Sequence, residues 1–140
     1  MTREDIPAVA QLERETFSDP WSEKVYRETF ELSGVVYVVV ENAEGNIIGA
    51  SGIRNIVGEG EITNVMISPE YRRRGLADRM LKELIKCGRN IGIGDITLEV
   101  RRSNAAAIGL YEKLGFVSEG VRPGFYDNPK EDAVIMWLRG

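Results

Sequence analysis

Apolar residues recur over the first thirty positions at helical spacing. Ile6, Val9, Ala10 and Phe17 fall on one helix face, with Pro7 in the first turn and Asp5 placed to cap it. After Asp19-Pro20, Ser22 can cap a second helix. Trp21 before that cap and Tyr26 four residues beyond it form a hydrophobic staple. The period then changes. Residues 35–40 are a β-branched and aromatic run that predicts a buried strand. A turn through Asn42, Gly45 and Asn46 leads to a second strand over residues 47–56, and Gly58-Glu59-Gly60 leads to a third over 61–67. These three strands are expected to form an antiparallel meander.

Helical spacing returns at Leu76, Met80, Leu81, Leu84 and Ile85, a face that ends near the glycines at 88–92. Ile96, Leu98 and Val100 alternate with Thr97 and Glu99, a strand pattern. A short helix from about Asn104 to Leu114 stops at Gly115, a natural residue after a helix end. Residues 117–121 and 133–138 close the chain as strands. A meander followed by alternating strands and helices is an α/β plan with a mixed sheet, and its strand order does not follow from the pattern.

Length and composition narrow the chemistry. The 140 residues fit one domain, 1–140, with 43% apolar and 29% charged residues, ordinary for a globular fold. No apolar run reaches the ~20 residues of a membrane helix, and the opening MTREDIP lacks the apolar segment of a signal peptide; both point to the cytoplasm and away from a membrane. There is no histidine and one cysteine, Cys87. That excludes Ser-His-Asp and Cys-His machinery, Cys/His metal clusters and a disulfide framework, so no metal is expected. Cys87 reads as a helix residue that behaves as a small hydrophobe. The formal charge of −4 argues against nucleic-acid binding. Residues 1–71 carry 5 basic and 13 acidic residues, and residues 72–140 carry 13 basic and 9 acidic. The split fits an acidic face for a cationic partner and a basic face for an anionic one, and equally fits solvated faces of random sign.

Two segments could carry chemistry. Arg72-Arg73-Arg74-Gly75-Leu76-Ala77 follows a strand and opens an amphipathic helix. A glycine loop at a helix N-terminus exposes unpaired N–H groups, and with guanidinium groups beside them this suits a pyrophosphate. Three arginines at a solvated helix start give the same composition. The loop is not a Walker A motif, and Gly92-Ile93-Gly94 precedes a strand, the wrong context for a dinucleotide fingerprint. In the second segment, Glu99 projects opposite to Leu98 and Val100, Ser103 or Asn104 caps the helix, and Ala105 to Ala107 with Gly109 would allow close approach of a neighbour or ligand. Read alone, Tyr111 also fits a core aromatic and Glu99 a surface ion pair.

Taken together, the run from Asn64 through Ala77, the run from Leu98 through Ala107 and on through Leu110-Tyr111-Glu112-Lys113-Leu114-Gly115-Phe116, and Glu131-Asp132-Ala133-Val134-Ile135-Met136 resemble the GNAT acetyltransferases. More narrowly they resemble the RimI type, which acetylates N-terminal alanines of ribosomal proteins, and Pro20-Trp21-Ser22-Glu23-Lys24 is similar to that subgroup. The resemblance spans nearly the whole chain. It implies the GNAT fold, a mixed sheet of six to seven strands with about four helices, in which the family's first edge strand, placed before the segment that starts here at Thr2, is expected to be missing. It also implies an acetyl-CoA site. Backbone groups of Val65, Met66 and Ile67 would pair with the pantetheine arm. Arg72, Arg73, Arg74, Gly75, Leu76, Ala77, Asp78 and Arg79 would hold the pyrophosphate, and Asn104 would contact the cofactor. Asp78 departs from the basic or neutral residue common there.

By the same resemblance Glu99 matches the general base and Tyr111 the general acid. The segment Arg122-Pro123-Gly124-Phe125-Tyr126-Asp127 resembles the loop on the peptide side, which brings in Tyr126, and Trp21 with it, as substrate contacts. The chemistry suits these residue types. An α-amine with a pKa of ~7.7–8.0 must lose a proton to become a nucleophile, and a carboxylate can take it. A backbone N–H can hold the oxyanion and a phenol can protonate a thiolate leaving group, so no covalent enzyme intermediate is needed. The expected partner is the N-terminus of a protein, a ribosomal one in this subgroup. Lysine ε-amines, small amines, or CoA binding without turnover share the same cofactor signature.

Overall fold

The strands carry apolar residues on both faces, and two different pairs of helices cover them. The computed structural model describes residues 1–17 and 19–140. Its helices are α1 (Ile6–Thr16), α2 (Glu23–Phe30), α3 (Leu76–Asn90) and α4 (Ala105–Lys113), and its strands are β1 (Val35–Glu41), β2 (Ile47–Ile56), β3 (Glu59–Ile67), β4 (Ile96–Arg101), β5 (Val117–Tyr126) and β6 (Glu131–Leu138). They form one six-stranded sheet in the order β1-β2-β3-β4-β6-β5. The expected meander is present, and the β3–β4 pair is parallel, which makes the sheet mixed.

On one face, Ile6, Val9, Ala10 and Leu12 of α1 and Tyr26 of α2 pack on Tyr37, Ala50 and Met66. On the other, Leu81 and Leu84 of α3 and Tyr111 of α4 pack on Ile53, Ile62, Leu98, Val100 and Met136. Leu84 is fully enclosed there. Leu84→Ala is expected to cost about 2–5 kcal/mol of unfolding free energy, because the removed atoms leave a cavity that close-packed neighbours only partly refill; urea denaturation measures it.

One irregularity organises the sheet. Gly52 pairs with Asn64 but Ile53 pairs with Ile62, so Thr63 is an extra residue bulged out of β3. Side chains at 62 and 64 would share a face in a regular strand. Across this bulge Ile62 faces α3 and α4, whereas Asn64 and Met66 face α1 and α2.

Four expectations are corrected. The apolar run at 35–40 is an edge strand in which only Tyr37 is buried, because among the described residues no strand pairs with the outer side of β1. Phe17 leaves the apolar face of α1: the backbone turns extended there and its side chain is exposed. Asp5 does not cap α1 with its side chain; its Oδ2 accepts from the Thr2 N–H at 2.8 Å and closes the 3₁₀ turn ahead of the helix. Residues 122–126 are not a loop but the end of β5, where a register shift accommodates Pro123 and the left-handed Gly124 on an edge strand. Elsewhere the caps form as read: Ser22 Oγ accepts from Val25 N–H at 3.2 Å, and the Trp21 and Tyr26 rings pack at a tilt with centroids 5.4 Å apart.

Candidate active site

The bulge at Thr63 lies where β3 parts from β4. The two strands pair only at Gly60–Ile96 and Glu61–Thr97, and then diverge. Beyond that point β3 keeps β2 on one side, with Ser51, Ala50 and Gly49 opposite Val65, Met66 and Ile67, and among the described residues no strand pairs with its other side. Unpaired strand edges present N–H and C=O groups to whatever binds beside them.

β3 runs directly into the arginine loop. Arg72 Nε donates to the Ile67 carbonyl at 3.1 Å, and the Arg74 guanidinium lies 5.1 Å over the Tyr71 ring. Arg73 and Gly75 are both left-handed, with φ of 64° and 73°, and Gly75 starts α3 without any side-chain cap. Among the described residues none accepts a hydrogen bond from the N–H groups of Leu76, Ala77 or Asp78. Alternating left-handed residues ahead of an uncapped helix N-terminus form an anion-binding concavity. A Cβ on Gly75 would meet nothing within 4 Å, so the concavity is open. Asp78 in the first turn is tied to Lys82 at 2.9 Å, and that hydrogen bond holds its carboxyl below the usual range, while its Oδ1 is buried without a partner. Lys82 thus offsets the charge of Asp78 within the helix. Arg79 is exposed.

Across the divergence, Asn104 and not Ser103 caps α4: its Oδ1 accepts from Ala107 N–H at 3.2 Å, which leaves its amide nitrogen free. Ala105, Ala106 and Gly109 are exposed, and a Cβ on Gly109 would also meet nothing. The arginine loop and this small-residue surface fit the phosphate and pantetheine parts of CoA.

On the α1–α2 side a cleft of about 210 Å³ opens over β3 and β4. Trp21, Glu61, Thr63, Glu99, Phe125 and Tyr126 line it. Glu99 Oε1 stands 3.5 Å from Arg122 Nη1, while Oε2 is buried with no partner. Burial pushes the Glu99 carboxyl above its ordinary value; Arg122 opposes the shift and Glu61 adds to it. Tyr126 is held by Arg101, whose guanidinium lies 4.5 Å over the ring and donates to the carbonyls of Asp127 and Pro129 and to Glu131. Tyr111 is buried, and its hydroxyl makes no hydrogen bond to any described residue. Burial raises its pKa well above that of a free phenol, with a smaller push from Tyr126. Glu99 likewise raises Tyr126, after burial. The sequence-derived candidates therefore form two groups, an anion cradle with an open strand edge and a carboxylate cleft, with Tyr111 on α4 packed into the core beside Leu98 and Val100 of β4. Phe125 lies in the segment that resembles the peptide-side loop, whereas Glu61 and Thr63 are not legible in the sequence, because the bulge has no signature of its own.

This fold and site define an acyltransferase of the GNAT class, whose members take the acetyl group from acetyl-CoA. Residues 6–116 match the family described as the Acetyltransferase (GNAT) family, and the chain belongs to it. It is 36% identical over 137 residues to the Escherichia coli ribosomal protein bS18-alanine N-acetyltransferase, covering 96% of this chain and 90% of that one. A Bacillus subtilis protein named as a candidate for the same activity is 35% identical over 139 residues, covering 99% and 91%. The crystal structure of the Escherichia coli ribosomal-protein-S18-alanine N-acetyltransferase superposes with a TM-score of 0.89 at 32% identity, covering 99% of this chain and 90% of that one. Among the described residues no helix is long and apolar enough to cross a membrane.

Proposed function

We propose that this chain, as one acetyltransferase domain over residues 1–140, acetylates the N-terminal α-amine of a protein with alanine first, and that its substrate is the ribosomal protein bS18 of its own cell. The observation that carries the reading is the cleft, in which a carboxylate with a buried, unpartnered oxygen stands among aromatic walls beside an open strand edge. The full-length similarity to bS18-alanine acetyltransferases supports the same substrate class. A basic ribosomal-protein tail also suits the acidic first half of the chain, and such a substrate puts the enzyme in the cytoplasm.

Acetyl-CoA supplies the thioester that the amine attacks. Arg73, Arg74, Gly75, Leu76, Ala77 and Asp78 hold the pyrophosphate, chiefly through backbone N–H groups, with Arg72 bracing the loop against Ile67 and Arg79 adding charge at its rim. The open edge at Val65, Met66 and Ile67 hydrogen-bonds the pantetheine arm and the thioester oxygen as it gains charge. Asn104 contacts the arm through its free amide. Trp21 and Tyr126 flank the amine. Glu99 takes the proton of the α-ammonium, directly or through a water, and its raised pKa brings it closer to the amine's. Tyr111 serves the departing sulfur. A thiol of pKa ~8.5 is a stronger acid than a phenol near ~10, so complete transfer from Tyr111 is uphill. The hydroxyl therefore acts as a hydrogen-bond donor to the developing thiolate, whose final proton comes from the amine by way of solvent.

Incubation with acetyl-CoA and an N-terminal alanine peptide, read by mass spectrometry, tests the reading. One acetyl group on the N-terminus is expected. Acetylation confined to an internal lysine, or CoA binding with no acetylated amine, would overturn it. Gly75→Val is expected to raise the KM for acetyl-CoA about tenfold. A β-branched residue resists the left-handed backbone at a cost of about 1–2 kcal/mol, and the N–H groups lose their aim. Steady-state kinetics at saturating peptide would show it.

A further inference from the structure

The chain buries one carboxylate that the reaction does not use. Glu13, on α1, is 4% exposed, and no cation pairs with it among the described residues. Its Oε2 accepts from the Trp21 backbone N–H at 2.7 Å, and its Oε1 accepts from the Tyr26 hydroxyl. That hydroxyl in turn accepts from Asn64 Nδ2 at 2.6 Å, and the Asn64 backbone carbonyl accepts from the buried Ser51 hydroxyl at 2.5 Å. A continuous line of hydrogen bonds thus runs from the β-bulge, where Asn64 follows Thr63, through α2 and α1, to the backbone of Trp21. Trp21 is the one wall of the cleft that comes from the segment joining α1 to α2.

Burying a carboxylate without a cation is expensive, and a well-packed apolar side chain would serve stability at least as well. The donors also dictate the residue type. Trp21 N–H and Tyr26 O–H both point protons at Glu13, so both of its oxygens must accept. A glutamine turns one of the two oxygens into a donor, so either the Trp21 N–H faces a proton or the Tyr26 hydroxyl loses the acceptor for its own proton.

We infer that Glu13 is a positioning residue for substrate recognition: by accepting from Trp21 and Tyr26 together, it sets the Trp21 wall of the amine cleft in register with the bulged strand beside it. The inference rests on the cleft being the amine site. Glu13 touches no reacting atom, so its loss acts on binding of the peptide and leaves the chemical step and the CoA cradle alone.

The test compares Glu13→Gln with wild type in a Trp137→Phe background, where Trp21 is the sole tryptophan. Glu13→Gln is expected to red-shift Trp21 emission and to raise the KM of an N-terminal alanine peptide about tenfold. The turnover number should stay within about twofold and the acetyl-CoA KM should not change. Trp21→Ala should raise the peptide KM as well, and the double variant should be no worse than Trp21→Ala alone, since both changes remove one wall. Unshifted emission, additive effects, or a lowered melting temperature with unchanged KM would each overturn the inference. Should the wild type acetylate no peptide, the functional reading fails, while the emission shift still decides whether Glu13 holds Trp21. Should Glu13→Gln not fold, Tyr26→Phe, which keeps the ring packing and removes the hydroxyl, decides by the same readouts.

Discussion

Glu99→Gln is expected to lower kcat/KM for an N-terminal alanine peptide by about 10²–10⁴-fold at neutral pH and to move the acid limb of the pH profile upward. In the wild type that limb follows deprotonation of Glu99. Its pKa is raised, chiefly by burial, so activity falls as pH drops through a value above that of an ordinary glutamate. Above that value the carboxylate is charged and can take the proton of the ammonium. Without it the amine must deprotonate unaided, and the limb moves to the amine's own ~7.7–8.0. The variant should therefore recover toward wild type as pH rises past about 8. Glutamine matches the shape of the side chain, so it can still stand beside Arg122, 3.5 Å from Glu99 in the wild type, and the cleft keeps its form. A pH–rate profile parallel to wild type across pH 6–9 would remove Glu99 from the base role.

Tyr111→Phe is expected to slow turnover by roughly 10–10⁴-fold, with the KM for acetyl-CoA nearly unchanged. The position within that range carries information. If the hydroxyl only donates a hydrogen bond to the sulfur, the loss belongs near the lower end, because a charge-assisted hydrogen bond contributes about 1.5–3 kcal/mol. Burial keeps the phenol protonated at every working pH, so the effect should not depend on pH. The ring packs 5.9 Å from Phe116, and phenylalanine retains that contact, which separates chemistry from folding. An unchanged turnover number, measured at saturating substrates, would return Tyr111 to the core aromatic that its burial alone suggests.

The zero-histidine composition and these two predictions belong together. Acid–base work in this chain must run through weaker partners, and an acetyl transfer between a thioester and an amine tolerates that. Both reacting groups are already near the right pKa, so the protein supplies small shifts and firm positions rather than strong acids and bases.

Much was legible in local sequence, because it depends on local physics. Ser22 and Asn104 cap their helices since a short polar side chain ahead of a helical run finds its N–H groups wherever the helix goes. The period of Leu81 and Leu84 sets the buried face of α3, and the arginine–glycine run sets its open N-terminus. Glu99 alternates with Leu98 and Val100, and that alternation alone puts it opposite the core. The family motifs added roles to these residues.

What only the tertiary structure decided is how distant elements meet. The β-bulge at Thr63 arises from pairing with β2, and no propensity marks it; yet it turns Asn64 toward Tyr26 and lies where β3 parts from β4. The edge position of β1 half-exposes a run that reads as buried, because burial depends on which neighbours a strand has. Helical spacing puts Glu13 in the middle of the apolar stripe set by Ile6, Val9 and Ala10, but nothing local shows which groups would satisfy a carboxylate there. Its burial becomes tolerable only when Trp21 and Tyr26 fold back to donate to it. Periodicity and capping are properties of a segment with its own backbone, so sequence determines them; strand order, bulges and shared polar networks are properties of pairs of segments, which the fold alone brings together.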